Sequence, residues 1–249
     1  MRTIGLIGGM SWESTVLYYR IINREVARRL GGLSSARIHL LSLNFSDIAQ
    51  RQRADDWAGL ADTLAGAARS LQQAGADCVL IGTNTMHKVA PEVQAATPLP
   101  LLHIADITGQ AIAAQGLQRV GLLGTRFTME QPFYAERLQA KGIACLVPPR
   151  AERDEVHRII FEELCQGVFL DRSRETLLGF IDGLAARGAQ ATVLGCTELP
   201  LLIAAHHSPL PMFDTTELHA LAAVEFALHC PPKHPPERPP PAMCQLLGM

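Results

Sequence analysis

The sequence lacks a surplus of positive charge, a long apolar run and closely spaced cysteines. Lysine and arginine together number 22, against 24 aspartate and glutamate residues, so the formal net charge is −2. Nucleic acids and anionic membranes bind basic protein surfaces, so neither is an expected partner. No run approaches the roughly 18 apolar residues of a membrane span. The apolar stretch before Gly8 is also too short for the core of a signal peptide. These absences predict a soluble, cytoplasmic protein.

The six cysteines are scattered along the chain and form no CxxC pair. In a cytoplasmic protein of this length, such spacing argues against a zinc site and against a disulfide framework. We therefore expect no metal, and at least one thiol kept for its reactivity. The cysteines are residues 78, 145, 165, 196, 230 and 244.

What the chain does contain is an alternation of apolar strands with amphipathic helices. Its 249 residues, 48% of them hydrophobic, are enough for one or two cores. TIGLIGG at 3–9 and DCVLIG at 77–82 have the composition of buried strands, whereas 14–30 and 57–73 have helical periodicity. Near-continuous apolar strands between helices are typical of a parallel sheet covered on both faces. Further predicted elements are strands at 36–43, 98–104, 119–125, 143–148 and 191–195, a helix at 106–114, a long helical region at 154–187 and a polar segment at 44–56.

The second half of the chain repeats the first. GADCVLIGT ends at Thr83, and GAQATVLGC ends at Cys196. RVGLLGT at 119–125 matches TIGLIGG, and LPMFDTTELHALAAVEF at 210–226 matches LPLLHIADITGQAI at 99–112. Gly8 lies 75 positions before Thr83, and Gly124 lies 72 positions before Cys196. Duplication of one α/β unit explains this spacing; the alternative is a chance likeness between two strand-to-helix turns.

The repeat predicts an α/β protein of two pseudo-symmetric, doubly wound, flavodoxin-like domains whose parallel sheets face a shared cleft. We expect a first unit at 1–104, completed by the helix at about 214–228, and a second unit at 105–213. The proline-rich segment 229–249 is predicted to be a flexible tail, with no role assigned to Cys230 or Cys244. Working residues of open α/β sheets follow the C-terminal ends of strands, which places Thr83 and Cys196 on opposite sides of the cleft.

Four motifs, in order, carry a family resemblance. GGMSWEST at 8–15, TNTMH at 83–87, GTRFTM at 124–129 and GCTE at 195–198 resemble the aspartate/glutamate racemase family, over residues 1 to about 228. The resemblance implies an isomerase that needs no cofactor, acts on a small acidic amino acid and forms a homodimer. In the dimer, the apolar face of the helix at 14–30 would be a reasonable contact. Members use two facing thiols; this chain has Thr83 where the first cysteine usually stands.

The implied chemistry removes the α-proton on one face of the substrate and returns a proton on the other. We expect Cys196 to be the base for the L form, with its pKa lowered at a helix start. Thr83 would supply a proton opposite, because a hydroxyl is too weak an acid to wait as an alkoxide. An enzyme with one strong base and one weak partner should take up the L form readily and the D form poorly.

The remaining candidate site residues are predicted substrate contacts. Gln52 would meet the side-chain carboxylate, or be one more solvated residue of a charged loop. Glu163 would orient substrate near Cys196, or be an ordinary helix glutamate. Glu198 would hold the amino group, or raise the thiol pKa through its charge. The other predicted contacts are Met10, Ser11, Asn84, Thr85 and Thr197, with His87 and Cys165 given structural roles.

Two alternative functions remain open at this stage. The resemblance implies one of them: relatives in the same superfamily that retain one thiol can decarboxylate malonate-type acids without a cofactor, since one proton donor is then enough. The chain could also be a ligand-binding protein whose catalysis was lost with the first thiol. Aspartate and glutamate are equal candidates as substrate, because they differ by one methylene.

Overall fold

The computed structural model describes residues 1–229 and contains two parallel β-sheets, one from each half of the chain. The predicted α/β architecture with two parallel sheets is confirmed. The predicted tail, including Cys230 and Cys244, lies outside the described residues except for His229, which ends the last helix. Within residues 1–229, no helix is both long enough and apolar enough to cross a membrane.

The first sheet has the strand order β2-β1-β3. Every residue of β1, the central strand, and of β3 is buried, as expected of a parallel sheet that is covered on both faces. A 3₁₀ turn at Thr85–Val89 follows β3. The elements are β1 (Ile4–Gly8), α1 (Trp12–Leu30), β2 (Ile38–Ser42), α2 (Phe45–Arg53), α3 (Trp57–Gln73), β3 (Cys78–Ile81), α4 (Ala90–Ala95) and α5 (Ile104–Ala114).

The second sheet has the strand order β5-β4-β6-β7. Its first three strands therefore follow the same order as the first sheet, with the opening strand of each half at the centre. The elements are β4 (Arg119–Gly124), α6 (Arg126–Glu130), α7 (Pro132–Gln139), β5 (Ala144–Leu146), α8 (Arg150–Arg158), α9 (Asp171–Ala186), β6 (Ala191–Gly195), α10 (Leu199–Leu202), β7 (Met212–Asp214) and α11 (Thr215–His229).

The two halves exchange their last helices. Helix α11, at the end of the second half, packs against α1, and its alanines join the core formed by Ile4, Leu6 and Tyr18. Helix α5, at the end of the first half, adds Ile104 and Ile112 to the core of the second sheet. Each core thus contains a helix from the other half. The domain boundaries themselves stay a prediction.

Two segments of the first half differ from expectation. Residues 44–56 were expected to be a polar connection, but α2 forms there, because the Asn44 side chain accepts a hydrogen bond from the Ser46 amide and Ile48 turns inward. The strand expected at 98–104 is reduced to a single bridge between Val79 and Leu101. The prolines at 98 and 100 cannot donate to a ladder, which limits pairing there.

The long helical region expected at 154–187 is broken in the structure. Helix α8 leads into a π-helical turn at Ile159–Glu163 and a 3₁₀ turn at Leu164–Gln166. Gly167 then takes a left-handed conformation, with φ of 73°, and ends the helical run before α9. The π-helical turn lies beside the cleft between the two sheets and shapes its wall.

Candidate active site

Thr83 and Cys196 line the same cavity between the two halves of the molecule. Thr83 follows β3 and Cys196 follows β6, which are the equivalent strands of the two sheets. Because parallel strands expose their C-terminal ends at one edge, two sheets that face each other bring these residues together. The cavity is lined by Met10, Phe45, Gln52, Thr83, Thr85, Thr125, Ile160, Phe161, Cys165, Cys196 and Glu198.

This inner cavity is small, about 20 Å³, which is room for about one water molecule. Phe45 of α2 and Phe161 of the π-helical turn stack on its wall, with ring centroids 5.9 Å apart. Gln52 and Phe161 also line a neighbouring outer cavity of about 550 Å³. This cavity would therefore need to enlarge before an amino acid could lie between Thr83 and Cys196.

The Cys196 thiol is hydrogen-bonded to a carboxylate. It donates to Glu198 Oε2, with the sulfur and oxygen 3.0 Å apart. Burial raises the pKa of the Cys196 thiol well above its ordinary value, and the charge of Glu198 raises it further. The expectation that a helix start would lower this pKa is wrong, because α10 has only four residues and the thiol is buried beside an anion.

Glu198 is held by donors from both halves. The Ser11 hydroxyl donates to Oε1 at 2.8 Å, and the Thr197 hydroxyl donates to Oε2 at 3.0 Å. Glu198 is buried, and it is the one ionic side chain among the described residues that line the inner cavity.

The wall of the first half is supported by a neutral histidine. His87 Nε2 accepts from the Ile104 amide at 3.2 Å, so Nδ1 carries the proton and donates to the Thr83 carbonyl at 2.8 Å. Burial lowers the pKa of His87 well below its ordinary value, followed by the effect of His103 and His219. The structural role expected for His87 agrees with these contacts.

Side-chain hydrogen bonds join the two halves around the cavity. Asn84 Nδ2 donates to Thr215 Oγ1 at 3.0 Å, and Thr215 donates in turn to the Leu194 carbonyl in β6. Thr85 Oγ1 lies 2.8 Å from Thr125 Oγ1. Together with the bond between Ser11 and Glu198, these contacts link the turns after β1 and β3 to the second half of the chain.

The structure brings six of the ten predicted site residues to the inner cavity. The four that do not line it have other partners in the structure. Glu163 is bonded to Arg158 at 2.9 Å and to the Ser173 hydroxyl, Asn84 to Thr215, and Ser11 and Thr197 to Glu198. The residues at the cavity are Met10, Gln52, Thr83, Thr85, Cys196 and Glu198.

Several cavity residues were not singled out from the sequence. Thr125 is the repeat counterpart of Gly9, so the alignment of RVGLLGT with TIGLIGG was a signal for it. Phe45, Ile160 and Phe161 carried no such signal, because their position depends on how α2 and the π-helical turn meet. Cys165 was expected to belong only to the core, but it also lines the cavity.

Gln52 lines the inner cavity, and its side-chain amide has few hydrogen-bond partners. Its Nε2 lies 3.2 Å from the Met86 sulfur, a weak acceptor, and its Oε1 is buried without a partner. No cluster of metal-ligating side chains lies within residues 1–229.

Sequence comparison places most of the chain within one family model. Residues 7–223 match the family described as Asp/Glu/Hydantoin racemase. The match covers every residue of the inner cavity, the whole second sheet and all of the first sheet except residues 4–6 of β1.

Solved structures similar to this chain come from related proteins. A candidate Asp/Glu racemase from Yersinia pestis is 51% identical, with a TM-score of 0.85, over 92% of this chain and 100% of the other. An aspartate racemase homologue from Pyrococcus horikoshii OT3 is 35% identical, with a TM-score of 0.78, over 91% and 99%. The aspartate racemase of Picrophilus torridus, 22% identical with a TM-score of 0.73 over 91% and 94%, shares the fold.

Proposed function

The chain belongs to the Asp/Glu/hydantoin racemase family, and we propose that it interconverts the L and D forms of glutamate and aspartate without a cofactor. Cys196 is the base for the L form in this proposal, and Thr83 gives or relays a proton on the opposite face. The observation that carries the proposal is that both side chains line one cavity, each at the end of the equivalent strand of its sheet.

The reaction needs donors for the charge that develops on the substrate. Loss of the α-proton delocalises negative charge onto the α-carboxylate, and fixed donors stabilise it more than water does. Thr85 and Thr125 both line the cavity, with their hydroxyl oxygens 2.8 Å apart, and are the proposed donors. Asn84 and Thr197 lie beside the two proposed catalytic residues, and their substrate contacts stay predictions, as do those of Ser11, Glu163 and Glu198.

Gln52 is the proposed contact for the side-chain carboxylate. It lines both the inner and the outer cavity, so it stands where a substrate would enter. Its amide is weakly bonded at one end and unpartnered at the other, which leaves it available to a ligand. Met10 lines the inner cavity and is proposed to touch substrate through its backbone.

The unequal pair of catalytic groups limits turnover in one direction. The enantiomers have equal free energy, so kcat/KM must be the same for both, and the expectation of poor D uptake applies to kcat alone. In the resting enzyme the Thr83 hydroxyl is protonated. The bound D form therefore has no base of the protein facing its α-proton. We therefore expect a lower kcat for the D form, with a KM lower by the same factor.

The homodimer is also a proposal, and the structure changes its contact surface. The inner face of α1, which includes Tyr18, Ile22 and Val26, packs within the chain and is not available. Trp12, Val16 and Tyr19 are exposed on the other side of α1. Sedimentation of wild type and Tyr19→Glu tests this surface: loss of a dimer supports it, and an unchanged mass contradicts it. A cytoplasmic location stays a prediction.

Isotope exchange tests the function. L-glutamate and L-aspartate are incubated with the protein in deuterium oxide, and α-deuterium and chirality are followed by NMR and chiral chromatography. Deuterated D product supports the proposal. No exchange supports a binding protein, and activity confined to malonate-type acids supports a decarboxylase. The half-buried thiol of Cys145 lies on β5, so Cys145→Ser is the matched control for Cys196→Ser.

A further inference from the structure

The outer cavity beside the proposed catalytic residues has no role so far. Its volume is about 550 Å³, which is within the usual range for small-molecule sites. The inner cavity, at about 20 Å³, has room for about one water molecule. Gln52 and Phe161 line both, so the two cavities adjoin. Of these two cavities, only the outer one therefore has room for an amino acid in this structure.

Two guanidinium groups at the outer cavity are unpaired or weakly paired. Arg53, which ends α2 in the first half, is exposed and makes no side-chain hydrogen bond or ion pair with any residue from 1 to 229. Arg126 begins α6 in the second half, and its ion pair with Asp154 is long, at 3.6 Å, with both side chains about half exposed. Such a pair contributes little. Both groups are therefore available to an anion.

The acidic groups at the same cavity already have partners. The Asp55 carboxylate accepts a hydrogen bond from the Trp57 indole. Glu162 lies 3.6 Å from Arg158, the third basic residue of the lining. Arg158 is bonded to two further carboxylates, at 2.7 and 2.9 Å, so its charge is balanced within the protein. The available positive charge of the cavity therefore comes from the other two guanidinium groups.

A neutral histidine between two aromatic rings completes this wall. His157 Nδ1 accepts from the Arg126 amide at 3.2 Å, so Nε2 carries the proton and can donate. Burial lowers the pKa of His157, and the charge of Arg126 lowers it further, so the ring is neutral near pH 7. The His157 ring centroid lies 6.0 Å from that of Phe127 and 4.6 Å from that of Phe161. The lining thus combines cations, an N–H donor and aromatic rings.

We infer that the outer cavity is an anion-binding site, where a dicarboxylate such as an acidic amino acid is held before it reaches Thr83 and Cys196. Guanidinium groups suit carboxylates, and Arg53 and Arg126 come from different halves of the chain, which suits a ligand with two of them. Exposed positive charge also raises the local concentration of an anion. That the ligand continues to the catalytic residues rests on the proposed function; that the cavity binds a dicarboxylate does not.

Glutarate tests the binding without any reaction, because it has two carboxylates and no stereocentre. The chain has two tryptophans, so the fluorescence of a Trp12→Phe protein comes from Trp57. The Trp57 ring lies 5.4 Å from that of Phe127 on the cavity wall. Glutarate should change this fluorescence in a saturable way, with calorimetry as a second measurement. Glutaramide, the uncharged diamide, should bind about tenfold more weakly, because it forms no charge pairs.

The two arginines and the inner cavity supply the variants. Arg53→Gln and Arg126→Gln should each weaken glutarate about twofold to fivefold, the range for exposed charge pairs, and the double variant about tenfold. Arg172→Gln, at an exposed position on α9, is the matched control and should leave the affinity unchanged. Cys196→Val adds volume at the inner cavity, and should change the affinity less than about twofold because the ligand lies outside it.

Racemisation should show the same dependence in KM. Neither Arg53 nor Arg126 lines the inner cavity, so each glutamine variant should raise KM for L-glutamate about twofold to fivefold and leave kcat within about twofold. Wild-type kcat/KM should fall about threefold or more between about 0.01 M and about 0.3 M sodium chloride, because salt screens exposed charge. The double variant should lose most of this salt dependence.

Three results would overturn the inference. One is wild-type protein that shows no saturable glutarate binding by fluorescence or calorimetry, and another is equal affinity in wild type and the double arginine variant. The third is loss of binding in Cys196→Val protein whose thermal unfolding shows it to be folded, since the ligand would then lie in the inner cavity. The proposed function fails separately: arginine-dependent glutarate binding in a protein that exchanges no α-proton of L-glutamate keeps the site and removes the racemase.

Discussion

The turn after β3 and the turn after β6 occupy equivalent places in two sheets of the same strand order, yet they are different chemical environments. Thr83 is backed by neutral groups, since His87 donates to its carbonyl. Cys196 is backed by an anion, Glu198, which bonds to its thiol. The difference shows that two sheets of the same strand order can place two groups at equivalent positions while the groups beside them differ in charge.

The largest effect is expected from removing the sulfur. Cys196→Ser replaces a thiol by a hydroxyl that is a far weaker acid, so the thiolate base is lost. We expect L-glutamate racemisation to fall about 10³ to 10⁴-fold, within the range for a general base. Cys145→Ser should keep full activity. A Cys196→Ser enzyme that retains the wild-type rate in the same isotope assay would remove Cys196 from the mechanism.

Removing the Thr83 hydroxyl should lower the rate less than removing the Cys196 sulfur does. Thr83→Val keeps the shape but cannot donate or relay a proton, so kcat for both enantiomers should fall about a hundredfold. Thr83→Ser retains a hydroxyl and should keep activity within about tenfold of wild type. Equal rates for the valine and serine variants, measured by polarimetry, would show that the Thr83 hydroxyl takes no part.

Placing a thiol in both halves should reduce the difference in kcat between the two enantiomers. Thr83→Cys supplies a thiol on the face that now has a hydroxyl, so the D form gains a competent base. We expect the ratio of kcat for D-glutamate to kcat for L-glutamate to rise about tenfold or more. Polarimetry at saturating substrate measures the ratio. A ratio that does not move would mean that the difference between hydroxyl and thiol does not limit turnover.

The neutral histidines near Thr83 should make folding depend on pH. Burial lowers the pKa of His87, His103 and His219, to about 3 for His103 and about 4 for His219. In the unfolded chain their pKa is about 6.5. Below pH 6.5 the unfolded chain therefore binds protons that the folded protein does not. Stability is then full above about pH 6.5 and falls as the pH decreases toward 4.

The expected slope is at most about 1.4 kcal/mol per pH unit for each histidine. Urea unfolding at pH 7, 6 and 5 measures it. His219 is fully buried between Tyr18 and the Leu102 carbonyl, so His219→Gln should reduce the slope. A free energy of unfolding that stays constant from pH 7 to 5 would contradict neutral burial.

Much of the fold was predictable because its signals are local. The apolar runs of β1, β3, β4 and β6 and their Gly turns are legible in the sequence, and so was the placement of Thr83 and Cys196 after equivalent strands. Helix α2 was missed because its polar residues hide a short buried face at Ile48 and Ala49. The broken helix near Gly167 was missed because neighbouring helical periods run together.

The chemistry of the site was less predictable, since it depends on contacts across the halves. Burial and the charge of Glu198 raise the pKa of Cys196. Its position after a strand and before a helix, which the sequence does show, indicates neither effect. The stack of Phe45 on Phe161 joins residues more than a hundred positions apart. Glu163 carries the same charge as Glu198, but its bonds to Arg158 and Ser173 hold it outside the cavity lining.

A crystal structure with bound L-glutamate or L-aspartate is the most direct test of the central claim. The account predicts that the substrate α-carbon lies between Cys196 Sγ and Thr83 Oγ1, on opposite faces and each within about 3–3.5 Å, the usual distance of reacting atoms. A substrate bound with both atoms on one face of the α-carbon, or with either atom turned away from it, would contradict the account.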